Sequence, residues 1–286
     1  MTSLKYKLFE GVLRLLKKRD EIFEDLEKPS IRSVPPQKKY ANRFIRTEFQ
    51  GEPVLTVHPK SGPSQKQYVH YHGGAYVYRL LDIHYPTFAE LADVSGLSVI
   101  IPDYPVRPKT TQDMHDWTYA HLESLVAEHG IENITIGGCS AGGNLALAML
   151  QMRRDAGRPN PKDTILWSPW VDLTMAEDAV AHNEKEALLT VKGIVAAGQR
   201  FTVGRDPEEP LLSPIFANLI GLSNLHIFTG QKDLLFPQIE IFAEKAKEAG
   251  ALKTYITEPD LGHYWMFYPT RERHKTIRET AELLKA

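Results

Sequence analysis

Hydrophobic positions open the chain at helical spacing. Leu4, Leu8, Val12, Leu15, Arg19 and Phe23 step by three or four, and Leu16 and Leu26 widen the stripe. The pattern predicts an amphipathic helix lying with that stripe on its own domain, ended by Pro29, Pro35 and Pro36. From Asn42 the pattern shortens to alternation. Arg43 to Phe49 and Pro53 to His58, joined by Gln50-Gly51-Glu52, read as an antiparallel hairpin. Gln67 to Tyr71 is a strand running directly into His72-Gly73-Gly74.

Beyond that point short apolar runs and helical patterns take turns. Leu97–Ile101, Asn133–Ile136, Thr164–Trp167, Leu225–Phe228 and Thr254–Thr257 read as strands. Gln112–His129, Ala141–Asp155, Pro237–Ala249 and Thr270–Leu284 read as helices. Such alternation predicts a mostly parallel sheet with helices on both faces. Residues 172–215 break the rhythm with a mixed helical pattern and three prolines, Pro207, Pro210 and Pro214. They predict a cap inserted into an α/β core rather than a second domain.

Composition narrows the function classes. The chain has 286 residues, 42% hydrophobic and 24% charged, with a formal net charge of −2. That balance gives no footprint for a nucleic acid partner. One cysteine, Cys139, leaves no internal disulfide and no Cys-rich metal site, and fits a reducing compartment. Lys5, Lys7, Glu10, Arg14, Lys17, Lys18 and Arg19 interrupt any signal-peptide core, and no apolar run approaches a membrane span. The expectation is a cytoplasmic protein whose N-terminal helix does not serve as a membrane-surface anchor, with a homodimer left open.

The chemistry concentrates at strand ends. Gly138-Cys139-Ser140-Ala141-Gly142 is a G-x-S-x-G between a strand and a helix, the setting in which a serine hydroxyl is presented on a tight turn. A serine nucleophile needs a base and an orienting carboxylate. Asp233 follows the strand Leu225–Phe228 and His263 follows Thr254–Thr257, in the chain order Ser, Asp, His. His72-Gly73-Gly74-Ala75, also after a strand, offers backbone donors for an oxyanion together with the Ala141 N–H. His70-x-His72 on one strand is a poor metal pair, His115, His121 and His182 fall in helical patterns without partners at ligand spacing, and no phosphate-binding or dinucleotide fingerprint occurs. Neither metal nor cofactor is expected.

These segments together resemble the hormone-sensitive-lipase-like esterases, a branch of the α/β-hydrolases. His72-Gly73-Gly74-Ala75 is similar to that family's H-G-G-G, and Asp103-Tyr104-Pro105-Val106 to its D-Y-R-L. Ser140 to Ala146 is similar to its elbow helix, and Ser168 to Thr174 and Leu212-Ser213-Pro214 resemble further family segments. Asp233-Leu234-Leu235 and Gly262-His263 stand where its acid and base would be. Ala75 replaces the third glycine, Cys139 the usual acidic residue, and Phe236-Pro237 further acidic positions.

The resemblance implies an α/β-hydrolase fold, an eight-stranded, mostly parallel sheet under a helical cap. Residues 1–40 would form the N-terminal cap segment and 41–286 the catalytic domain. It implies hydrolysis of short-chain, small-molecule carboxylic esters. Ser140 would be the nucleophile, His263 the base and Asp233 its orienter, with Gly73, Gly74 and Ala141 as the oxyanion hole and His72 supporting the turn. Tyr76, Trp170, Trp265, Met266 and Phe267 are candidates for an apolar substrate pocket. Competing readings are an amidase or arylformamidase, an acyltransferase, a non-catalytic ligand-binding descendant, and a membrane-associated protein using the basic N-terminal helix.

Overall fold

The computed structural model describes residues 2–15, 38–106, 110–174, 182 and 184–286. Its strands are β1 (Phe44–Phe49), β2 (Glu52–Val57), β3 (Gln67–Tyr71), β4 (Ser98–Pro102), β5 (Ile134–Cys139), β6 (Asp163–Trp167), β7 (Asn224–Gly230) and β8 (Leu252–Glu258). They form one sheet in the order β1-β2-β4-β3-β5-β6-β7-β8. β2 runs antiparallel to both its neighbours and every other pairing is parallel. This is the expected α/β-hydrolase fold.

The hairpin turn has a local cause. Phe49 pairs with Glu52, leaving Gln50 and Gly51 as a two-residue loop. Both have positive φ, 47° and 81°, the backbone twist that suits right-twisted strands. Interior strands carry no alternation because both faces are covered. Every residue of β3 and of β4 is buried.

The helices are α1 (Leu4–Leu15), α2 (Lys38–Ala41), α3 (His84–Ser95), α4 (Thr111–His129), α5 (Ala141–Asp155), α6 (Val191–Phe201), α7 (Phe236–Glu248) and α8 (Arg271–Lys285). α4 starts on a reciprocal cap in which Thr110 Oγ1 accepts the Asp113 N–H and Asp113 accepts the Thr110 N–H. α3 is not among the helices that the sequence pattern predicts, and Pro86 falls within it. The proline lies in the first turn, where its missing N–H costs no helical bond. Phe88, Leu91 and Ala92 are buried there, against α8 and the sheet.

α1 corrects the expected stripe. Leu4, Leu8, Val12 and Leu15 are exposed, by 73%, 62%, 51% and 83%. The face against the domain carries Tyr6, Phe9, Glu10 and Leu13 instead. Polar contacts fix this rotation. Tyr6 Oη accepts the Gly262 N–H at 2.8 Å, Ser3 bonds through N and Oγ to Glu272, and Arg14 Nη1 reaches the Glu184 carbonyl at 2.9 Å. The end of that first helix and its linker, within residues 16–37, and part of the expected cap, residues 175–181 and 183, fall outside the described residues. Two buried apolar clusters sandwich the sheet, one built around α5 and Leu166, the other around Trp167, α3 and α8.

Candidate active site

The carboxyl ends of β3, β5, β7 and β8 lie along one edge of the parallel sheet. His72, Ser140, Asp233 and His263 all emerge there. Ser140 joins β5 to α5 with φ 53° and ψ −122°, a strained backbone for a residue with a side chain. Two glycines make that turn sterically feasible. A Cβ on Gly138 would meet the Gly142 carbonyl oxygen at 2.2 Å, and one on Gly142 would meet the Tyr71 oxygen at 1.9 Å. The elbow is fastened from β6: Ser140 N–H is within bonding distance of the Trp167 and Ser168 oxygens, 3.0 and 3.1 Å, and the Ser140 carbonyl accepts the Trp170 N–H at 2.9 Å.

His263 Nδ1 lies 2.8 Å from Asp233 Oδ2, with both side chains buried. The other Asp233 oxygen accepts the Leu235 N–H at 2.9 Å, which fixes the carboxylate plane. Burial alone lowers the His263 pKa. The Asp233 charge, its hydrogen bond and the Glu186 charge outweigh that and hold it above the ordinary histidine value. His263 Nε2 is buried with no hydrogen-bond partner among the described residues. His263 and Ser140 share the wall of one cavity of about 380 Å³.

That cavity is almost wholly apolar. α1 contributes Phe9 and Leu13, the segment before α6 contributes Leu188 and Leu189, and Tyr264 and Tyr268 follow His263. Tyr78, Leu81 and Ile83 close the side next to Gly74 and Ala75. None of the five expected pocket residues lines it. Trp265, Met266 and Phe267 form a buried turn in the core beneath, with Trp265 Nε1 donating to Thr276 Oγ1 at 2.9 Å. Trp170 is core as well. Tyr76 stacks on Phe201 at 3.8 Å and donates to Asn144 Oδ1 at 2.7 Å, facing a separate cavity on the far side of Ala75. Asn144 returns two bonds, to the Trp170 and Leu212 carbonyls, at 2.8 and 2.7 Å. Tyr76 and Trp170 thus belong to a buried network that ties the elbow helix to the Leu212 backbone, and a buried polar hub explains their place better than substrate contact.

One expected oxyanion donor is already engaged. The Gly73 N–H points to Cys139 Sγ at 3.0 Å, because the thiol fills the space beneath the turn. Gly74 and Ala75 border the cavity instead, and neither N–H has a bonded partner among the described residues. Ala75 and Tyr76 both hold positive φ, 52° and 60°. His72 supports this turn from below. Its Nε2 is 3.2 Å from Asp103 Oδ1, its ring stacks on Tyr104, and Tyr104 Oη donates to the His72 carbonyl at 2.7 Å. Burial alone would raise the Asp103 pKa, but His72, the Leu80 N–H and Arg79 bring it down to about 2. Cys139 itself is a protonated thiol, pushed up by burial to about 12.

Glu186 escaped the sequence reading. It carries no motif and sits in the irregular stretch before α6, yet it is fully buried beside Asp233 and His263. Among the described residues there is no group of three or more His, Cys, Asp or Glu placed to hold a metal ion. Among them, too, no helix is long and apolar enough to cross a membrane.

Known proteins are similar to this chain in sequence and in fold. A family profile for the alpha/beta hydrolase fold matches residues 68–267. An acetyl-hydrolase of Streptomyces hygroscopicus is 31% identical over 202 residues, covering 69% of this chain and 67% of that protein. An esterase of Acinetobacter venetianus is 32% identical over 185 residues, covering 63% of this chain and 61% of that protein. The match to a triacylglycerol lipase of Mycobacterium tuberculosis covers 46% of that protein's length. In fold, the chain superposes on an esterase from the bacterial hormone-sensitive lipase family with a TM-score of 0.85 at 23% identity, covering 100% of this chain and 98% of that one. The chain belongs to the alpha/beta hydrolase family, and its fold is that of the hormone-sensitive-lipase-like esterases.

Proposed function

We propose that the chain is a serine hydrolase of small, apolar carboxylic esters, working through an acyl-enzyme. The observation that carries this reading is the Asp233–His263 pair with its Nε2 unengaged, on the same cavity wall as the strained Ser140. In the proposed reaction Ser140 Oγ attacks the ester carbonyl while His263 Nε2 takes its proton. Asp233 accepts from Nδ1–H, keeps the tautomer and stabilises the imidazolium. The proton then passes to the leaving alcohol, and water repeats the cycle on the acyl-enzyme.

The oxyanion falls to the N–H groups of Gly74, Ala75 and Ala141. Gly73 is replaced in this role by Ala75, since its own N–H is held by Cys139. Ala141 opens α5, so the positive end of that helix faces the developing charge. The wall formed by Phe9, Leu13, Leu188 and Leu189 suits an uncharged acyl or alcohol group. The names of relatives, acetyl-hydrolase and esterase, agree with that chemistry.

Hydrolysis of a p-nitrophenyl acyl series from acetate to decanoate, by wild type and Ser140→Ala, tests the proposal. Loss of the nucleophile is expected to lower turnover by about 10⁶-fold. Wild-type inertness on every ester, or a mutant that keeps its rate, overturns it.

A further inference from the structure

The carboxylate of Glu186 lies against the base of the proposed triad without being one of its members. Oε2 accepts the His263 backbone N–H at 2.7 Å, and Oε1 accepts the N–H groups of Ala187 and Leu188 at 2.7 and 2.8 Å. Three donors converging on two oxygens suit an ionised, acceptor-only carboxylate. The site is fully buried, so a charge there is weakly screened. Leu188 and Leu189, directly after this clamp, line the cavity. One side chain therefore ties the segment walling the substrate to the loop carrying the base.

The His263 loop is held from other sides too. Tyr268 Oη donates to the His263 carbonyl at 3.2 Å, and Tyr6 holds the preceding Gly262 N–H. Among the described residues, Asp233 and Glu186 are the two carboxylates whose charges act on the His263 imidazole. Each raises the His263 pKa, and burial together with Asp233 raises that of Glu186.

We propose, on the basis of the serine-esterase reading, that Glu186 is a positioning residue for the acid–base step. It fixes the His263 backbone from the cap side, and its charge, added to that of Asp233, stabilises the imidazolium formed as Ser140 attacks. Removing that charge lets the imidazole lose its proton at lower pH and weakens its hold on the proton in the transition state.

The other groups facing the pair are few. Tyr264 and Tyr268 from the same loop and Tyr6 from α1 are pushed up by burial and stay neutral across the working range. Glu10 of α1 is ion-paired, 3.2 Å from Arg14 and 3.8 Å from Lys232. His182 accepts the Glu186 N–H through its carbonyl at 3.1 Å, and its ring lies against Phe236.

The test compares wild type, Glu186→Gln and Glu186→Asp by pH profiles of kcat/KM, whose acid limb reports the base in the free enzyme. Glu186→Gln is expected to move that limb down by about 1 pH unit and to lower kcat about tenfold with KM little changed. Glu186→Asp keeps the charge but withdraws it by one methylene, and is expected to keep the limb and lose kcat. An unmoved limb in Glu186→Gln overturns the proposal, whatever happens to kcat. Should the amide variant not fold, a wild-type kcat in Glu186→Asp overturns it. NMR titration of the His263 imidazole, assigned with His263→Asn, needs no turnover. If the wild type cleaves no ester, the esterase reading fails, and the titration still decides whether Glu186 raises the His263 pKa.

Discussion

Gly73 donates its backbone N–H to the thiol of Cys139, 66 residues away, at 3.0 Å. The bond joins the turn after β3 to the last residue of β5, the two strand ends that frame the proposed oxyanion site. Burial keeps this thiol protonated, so the acceptor beneath the Gly73 N–H is neutral. Cys139→Ala is expected to leave the Gly73 N–H buried and unpaired. It should lose about 1–3 kcal/mol of stability and lower kcat, whereas Cys139→Ser keeps an acceptor and recovers most of both. Urea unfolding and ester kinetics on the two variants check this. Equal losses in Ala and Ser would show that the bond does not matter.

The same turn presses on the residue after the base. A Cβ on Gly73 would lie 2.0 Å from Tyr264 Oη and 2.8 Å from its Cζ. Tyr264 holds φ 68° directly after His263, so pushing its ring aside moves the imidazole. Gly73→Ala is expected to lower kcat/KM about 100-fold, as an ångström-scale displacement of a catalytic group does. Tyr264→Phe removes the nearest atom, and adding it to Gly73→Ala should restore part of the loss. The double-mutant cycle measures that coupling. Strict additivity would sink the explanation.

The proposed catalytic residues were legible because each sits where a strand of the parallel sheet ends, a place marked by hydrophobic runs and small residues. Ser140, Asp233 and His263 could be ordered along the chain without coordinates. The pocket could not. Phe9, Leu13 and Leu188 reach the cavity from segments far from the strand ends, and helical period alone does not say which face of α1 turns inward. Polar anchors at Ser3, Tyr6 and Arg14 decided that rotation against the larger apolar stripe. Trp265, Met266 and Phe267 misled for a related reason: aromatic bulk beside a catalytic histidine serves core and pocket equally well, and only packing separates them. Glu186 had no signal at all, since a buried carboxylate in an irregular segment looks like a surface charge in sequence.

Among the described residues, four buried histidines, His70, His84, His115 and His121, have pKa values lowered by burial and make stability depend on pH. Burial holds His84 down to about 3 and His115 and His121 down to about 4. Between these values and the unfolded value near 6.5, only the unfolded chain binds the protons, so stability falls as pH drops through that window. His263, with its raised pKa, has the opposite sign: its contribution is present at low pH and is lost as pH rises through the folded value. At pH 5 each depressed histidine costs on the order of 2 kcal/mol relative to pH 7. His121 stacks on Trp117 at 5.3 Å and meets Phe49 at 5.1 Å, so His121→Phe keeps a ring there without the proton. Urea unfolding at pH 7 and pH 5 should show a shallower drop in this variant. An unchanged drop would remove His121 from the account.

Acyl-chain preference should answer to α1, because that helix brings Phe9 and Leu13 into the cavity wall. Phe9 lies 4.5 Å ring to ring from Tyr268 and lines the cavity with Leu13. Phe9→Ala lengthens the apolar space, and each added methylene that finds it is worth about 0.8 kcal/mol, roughly fourfold in kcat/KM. The optimum in the p-nitrophenyl series is expected to move up by about two carbons, through KM more than kcat, because the catalytic groups are untouched. Phe9→Trp should shorten it. The two variants bracket the wild type only if the acyl chain runs toward α1. Three coincident profiles would instead put the chain in the cavity behind Ala75 lined by Tyr76, Met114 and Phe201, and would reassign the α1 side to the alcohol.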